Sequence, residues 1–248
     1  MRRKRKMPKP KSKSPKVCFL GTVYNGQAYL AETLESIRNQ TLKDIEVIYV
    51  DDGSTDSTND ILQHFSTIDS RFRYVTLPSN RGISVAWNRG LQEVKAPVIC
   101  IASADDIYVE ERAALSYKAL KSGHKDAFYG AYLRGDAQLK IMDGFLQDGS
   151  PAWIGETVPY KKGILDKKQT IAHGFMAIRT TMAKKVPYRE DLRVGIDYPF
   201  LKDLEANKCR WCWTEDPLGI YRIHKGSVSF TRRREVNEAT DVAGGQHE

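Results

Sequence analysis

No glycine-rich phosphate cradle is present in these 248 residues. After the first apolar run the chain reads Gly21-Thr22-Val23-Tyr24-Asn25-Gly26, which lacks the GxGxxG spacing of dinucleotide folds, and no GxxxxGK[ST] occurs. Hydride transfer from a nicotinamide and P-loop phosphoryl transfer both lose their support. Four cysteines are too few for a disulfide scaffold of this size. Cys18 and Cys100 fall inside apolar runs and read as core. Cys209-Arg210-Trp211-Cys212 has CxxC spacing, but no second pair completes a zinc site and the run is strand-like. No apolar run approaches the ~20 residues of a membrane span, and the N-terminal segment lacks the apolar centre of a secretory signal. The expectation is a soluble cytoplasmic protein, attached if at all at the inner face of a membrane.

Acid is missing from residues 1–16. Nine of the 39 Lys and Arg lie there, so the 30 that remain meet 31 Asp and Glu. The formal charge of +8 therefore belongs to a tail, and the body is close to neutral. Such an arm is expected to be disordered and suits an anionic membrane surface or nucleic acid. It sets up an alternative function: a nucleic-acid- or membrane-surface-associated binding protein.

What is present is a regular alternation. Val17–Val23, Ile45–Val50, Phe72–Leu77 and Val98–Ala102 read as strands. Helices are expected over Leu30 to about Asn39, Ser57–Phe65, Ile83–Val94 and Val109–Lys121. The pattern predicts an α/β fold with a mostly parallel central sheet flanked by helices and right-handed crossovers. Past Gly123 it loosens. Ala127–Leu133 reads as a strand, Leu139–Pro159 as a long connection, and Ile171–Arg179 as an apolar run containing His173-Gly174. Tyr198–Ala206 is helical in pattern, and Arg210–Thr214 and Leu218–Ile223 read as two strands about an Asp216-Pro217 turn. The expected organisation is a tail (1–16), a domain over 17–230 whose regular half is 17–123 and whose less regular half is 124–230, and a polar tail (231–248).

The run Val98 to Tyr108 centres the chemistry. A strand buried on both faces ends in small residues and then in Asp105 and Asp106. In open α/β sheets ligands bind beyond the carboxyl ends of strands. Two adjacent acids there repel unless a cation or donors compensate, and a hard divalent ion such as Mg²⁺ carrying phosphate oxygens fits. Thr22 and Asp51-Asp52 join this edge if the first, second and fourth strands are neighbours. The bland alternative is a turn whose aspartates cap the next helix.

Several motifs together resemble the family 2 inverting glycosyltransferases of GT-A fold: Val17–Asn25, Asp51-Asp52-Gly53-Ser54-Thr55-Asp56-Ser57-Thr58, Asn80-Arg81-Gly82 with Asn88-Arg89-Gly90, and Ala104-Asp105-Asp106. The second half joins through His173-Gly174, Gly195-Ile196-Asp197-Tyr198 and the run Tyr221–Ser229. The resemblance implies a donor-binding half and an acceptor half, a nucleotide-sugar donor, most often UDP-linked, and transfer with inversion to a hydroxyl of a glycan, lipid-linked or other acceptor. It also implies that Thr22 and Asp52 contact the nucleoside, that Asp105 faces ribose or sugar, that Asp106 and His224 hold Mn²⁺ or Mg²⁺, and that Asp197 is the general base. Ser103 stands where many relatives carry another acid, a change in metal geometry.

Rival readings stay open at this point. Asp191 competes with Asp197 as base, and Asp197 alternatively caps the helix at Tyr198. His173 is expected in a strand, structural or lining the acceptor, and Trp87 is expected to be packing. Asn207–Trp211 and Thr214-Glu215-Asp216 echo strings of processive synthases in reversed order, and transfer of a single sugar is expected.

Overall fold

The computed structural model describes residues 14–141, 160, 171–192 and 195–226. Most of the basic arm, the connection over 142–159, the tail over 231–248 and Ser227–Ser229 of the last motif lie outside the described residues.

Four parallel strands open the chain: β1 (Val17–Val23), β2 (Ile45–Asp51), β3 (Phe72–Thr76) and β4 (Val98–Ala102). Between them run α1 (Leu30–Arg38), α2 (Thr58–Ile68) and α3 (Ile83–Glu93). A two-residue strand, β5 (Ile107–Tyr108), follows the acid pair, then α4 (Arg112–Leu120) and β6 (Ala127–Gly135). After a 3-10 turn at His173–Phe175 come β7 (Met176–Arg179), α5 (Thr180–Lys185), α6 (Asp197–Ala206) and β8 (Trp211–Arg222). One sheet takes all eight strands in the order β3-β2-β1-β4-β7-β6-β8-β5. Only β7 and β5 run against the rest, so the expected mostly parallel α/β sheet is what forms.

Its strands are apolar on both faces because both faces are covered. Along β1, Val17 and Phe19 pack with α1, α2 and α4 through Leu34, Phe65 and Leu120, whereas Cys18 and Leu20 pack with α3 and α6 through Trp87 and Leu201. α1 and α2 therefore lie on one side and α3 on the other. The chain changes sides between β3 and β4, which makes the β1–β4 boundary a topological switch point, where open sheets leave a crevice.

Two expectations need correction. β8 is one strand, not two: Gly130 pairs with Thr214 and Ala131 with Pro217, so Glu215 and Asp216 bulge out of a continuous ladder. His173 lies in a 3-10 turn ahead of β7 and not within a strand.

Candidate active site

β1, β2 and β4 end level. Val23 pairs with Asp51, and Gly21 with Ala102, so Thr22, Asp52 and the turn over 103–106 emerge along one edge of the switch-point crevice. Thr22 is half-buried. Asp52 is only 3% exposed; its two carboxylate oxygens accept the backbone N–H groups of Arg81 at 2.8 Å and Gly82 at 2.9 Å, in the turn that enters α3. Asp51 is fully buried and accepts the Ser54 N–H at 2.9 Å. The small polar residues after it clamp the loop beyond β1: Ser54 accepts from Asn25 N–H, Thr58 from Gly26 N–H and Asp56 from Gln27 N–H. The Asp-Gly-Ser-Thr string thus spends its hydrogen bonds on building the wall of the crevice.

Behind the acid pair the packing is tight. The Tyr49 ring lies across Gly21, where a Cβ would sit 2.4 Å from it; this close approach lets its hydroxyl donate to the Ser103 carbonyl at 2.6 Å. The Ser103 N–H donates to the Tyr108 hydroxyl at 2.7 Å. Asp106 is fully buried, its Oδ1 accepting the Arg222 N–H at 3.0 Å. Its Oδ2 is buried beside the Ser103 hydroxyl, with no well-formed hydrogen bond to it or to any other described group. Burial first, and then the neighbouring Asp105 charge, raise its pKa to about 8; the Ser103 hydroxyl, the Arg222 amide and the Arg112 charge pull the other way without matching them. Arg112 is itself buried, its guanidinium 4.1 Å above the Tyr108 ring and donating to the carbonyls of Ile101 at 2.6 Å and Gly174 at 3.0 Å.

Asp105 is the more open of the two. Its Oδ2 lies 3.0 Å from His224 Nε2. The Gly226 N–H donates to Nδ1 of that ring at 3.2 Å, which leaves Nε2 as the nitrogen turned to the acid turn. Arg222, 1% exposed, organises the neighbourhood. It donates to the carbonyls of Asp105 at 2.8 Å and Ala137 at 2.7 Å and to Glu32 at 2.8 Å, joining the end of β8 to the acid turn, the end of β6 and α1. Sequence reasoning passed over both buried arginines, because nothing in a sequence separates a buried arginine from a surface one.

Among the described residues no three His, Cys, Asp or Glu side chains gather closely enough to make a finished metal centre. The donors nevertheless suit a hard divalent ion that takes its remaining ligands from phosphate. The Asp105 carboxylate meets the His224 imidazole, and in the next residue an oxygen of Asp106 is buried without a hydrogen-bond partner.

The other acid lies beyond the His173-Gly174 turn. α6 begins at Asp197, just after Gly195 at φ +66°, and Ile196 is its cap residue. Asp197 is thus the first helical residue and not the cap, with the helix dipole favouring its charge. Its carboxylate is about half exposed (48%), and its Oδ1 lies 3.7 Å from His173 Nδ1. The His173 ring is buried, which holds its pKa below the ordinary value, and its Nε2 is hydrogen-bonded to the Tyr188 hydroxyl. Asp191 lies in an exposed turn. Gly174 links the two acidic regions: a Cβ there would sit 2.8 Å from Ser103 Oγ and 3.2 Å from Asp106 Oδ2. The His173-Gly174 turn therefore stands against the acid pair on one side and faces Asp197 on the other.

Glycosyl transferase family 2 matches residues 20–186. The chain is 37% identical over 93 residues to a putative glycosyltransferase, EpsH, of Bacillus subtilis, covering 38% of this chain and 27% of EpsH. It is 26% identical over 217 residues to an uncharacterized glycosyltransferase of Methanocaldococcus jannaschii, covering 84% of this chain and 71% of that one. It spans well under half of several curated relatives, 38% in the case of GlyG of Streptococcus pneumoniae. Among solved structures, Staphylococcus aureus TarS in complex with UDP-GlcNAc superposes with a TM-score of 0.63 at 19% identity, over 86% of this chain and 60% of TarS. The Pyrobaculum calidifontis mannosyltransferase PcManGT, in complex with GDP-Man and Mn²⁺, gives 0.66 at 17% identity, over 96% of this chain and 67% of that one. These likenesses identify the architecture as the GT-A fold. With two thirds of its length inside the family's domain, the chain belongs to glycosyl transferase family 2.

Proposed function

We propose that the protein moves a single sugar from a UDP-sugar to an acceptor hydroxyl with inversion, in a reaction dependent on Mn²⁺ or Mg²⁺. The observation that carries this reading is the His173-Gly174 turn: Gly174 stands against the buried Asp106, and His173 faces the separate, half-exposed carboxylate of Asp197. The UDP-GlcNAc complex of TarS and the Mn²⁺ complex of PcManGT support the donor class and the ion.

The nucleoside is assigned to the wall formed by Thr22 and the Arg81-Gly82 turn. Asp52 braces that turn with one bond to each oxygen, and each oxygen keeps a lone pair for the nucleoside. Asp106 and His224 were the ligands expected from the motifs. Asp105 joins them, because its carboxylate faces the same imidazole nitrogen. A divalent ion held by these residues would supply the positive charge that offsets the departing diphosphate. Asp197, open to the crevice, takes the acceptor's proton as its oxygen attacks the anomeric carbon, so one base suffices and no covalent intermediate is required.

The test is UDP release from a panel of UDP-sugars with Mn²⁺, Mg²⁺ or EDTA, water standing in for the acceptor. Release is expected from one donor, abolished by EDTA and by Asp197→Ala, with UDP binding retained in that variant. Release that survives EDTA refutes the metal; release that survives Asp197→Ala refutes the base.

A further inference from the structure

His173 sits in a box that has no need of a histidine. Trp87 of α3, Tyr188 and Phe200 of α6 present rings to it with centroids 6.0, 5.6 and 5.9 Å away, all steeply inclined to its plane. Any ring or branched apolar side chain would fill such a space. Its two nitrogens are nevertheless both placed. Nε2 meets the Tyr188 hydroxyl, and Nδ1 faces Asp197. Tyr188 is fixed in turn: Asn88 of α3 donates to its carbonyl at 2.9 Å and accepts its N–H at 3.0 Å. Phe200 lies one turn beyond Asp197 on α6, so the helix offers carboxylate and ring to His173 from the same side.

We propose that His173 is a positioning residue for Asp197: its Nδ1–H orients the carboxylate, and Tyr188, donating to Nε2, fixes that tautomer from behind. This rests on Asp197 being the base. A buried phenol keeps its proton and has it to give; once it donates to Nε2, a neutral ring carries hydrogen on Nδ1 alone. Burial disfavours the imidazolium. A neutral N–H holds the carboxylate without the full positive charge that would quench its basicity. The 3.7 Å separation is longer than a hydrogen bond, as is common before substrate binds, and tightens when the acceptor is in place.

The test compares His173→Asn, His173→Gln, His173→Ala and Tyr188→Phe with wild type in Mn²⁺-dependent UDP release, using the UDP-sugar that the wild type turns over fastest. Asn presents an N–H near the Nδ1 position and Gln near the Nε2 position. The expected result is a fall in kcat of about 10- to 100-fold for Ala and Gln with donor KM little changed, and recovery by Asn to within about threefold. A packing role would instead favour Gln, the closer match in size. Nitrogen-15 NMR of the histidine ring supplies a readout that needs no turnover: Nδ1–H in wild type, a mixture of tautomers in Tyr188→Phe. Asn no better than Gln, or an Nε2–H ring in wild type, overturns the proposal while leaving the base reading intact. Turnover that survives Asp197→Ala overturns the base reading instead.

Discussion

Asp106→Asn separates the cost of burying the acid pair from its use. The carboxyl is fully buried and its pKa is raised from 3.8 to about 8. At pH 7 the unfolded chain carries this group ionised, whereas the fold holds it protonated. The folded state thus binds more protons, and stability falls as pH rises from about 4, levelling off above about 8. At about 1.4 kcal/mol per unit the penalty reaches about 4 kcal/mol at pH 7. Asparagine is isosteric, keeps an acceptor for the Arg222 N–H and cannot ionise. It should therefore raise stability at pH 7 by a few kcal/mol, up to about 4, and remove this share of the pH slope. The same change should abolish stabilisation by Mn²⁺, which in wild type strengthens with pH as the proton leaves. Urea unfolding of both proteins between pH 5 and 9, with and without 1 mM Mn²⁺ (a concentration of roughly the order that fills weak divalent sites), reads all three effects. An Asn variant no more stable than wild type at pH 8, or one with the same pH slope, refutes the reasoning.

Three further outcomes follow from the same contacts. Asp52→Ala strips the acceptors from the Arg81 and Gly82 amides; at about 1.5–3 kcal/mol for each charge-assisted bond, urea unfolding should show a loss of about 3 kcal/mol or more, and a neutral result would make Asp52 dispensable to the turn. Gly174→Ala drives a methyl to 2.8 Å from Ser103 Oγ and 3.2 Å from Asp106 Oδ2; calorimetry should find Mn²⁺ binding in the presence of UDP weakened at least about tenfold, and unchanged affinity would remove Gly174 from the metal side of the crevice. Arg222→Lys keeps a charge but cannot reach Asp105, Ala137 and Glu32 together; thermal unfolding should reveal a loss of about 2–4 kcal/mol, and a wild-type melting curve would show that the junction it makes is not needed.

Why the first half of this chain was legible and the second only partly so has a physical cause. β1, β2 and β4 are buried on both faces, so each announces itself as an unbroken apolar run, and their neighbourhood is the order β2-β1-β4 that the acid ends require. β5 is two residues long and exists only because β8 arrives beside it, pairing Ile107 with Ile220; no local pattern encodes a strand so dependent on a distant partner. The Asp216-Pro217 pair carries strong turn chemistry, yet the ladder absorbs it as a bulge, since Ala127–Gly130 anchor β8 before it and Leu133–Gly135 after it. The candidate site divides in the same way. Its acids sit at strand ends and a helix start, where spacing predicts them. What gives them character comes from elements remote in sequence: Arg222 is 116 residues from the Asp106 whose Oδ1 it binds, and Tyr188 reaches His173 across 15. Short-range pattern locates a charged group, while its burial and its partners belong to the tertiary fold. The reading of Asp52 shows this most directly. Its place at the end of β2 was legible, but that its two oxygens accept the Arg81 and Gly82 amides at the entry to α3 was not.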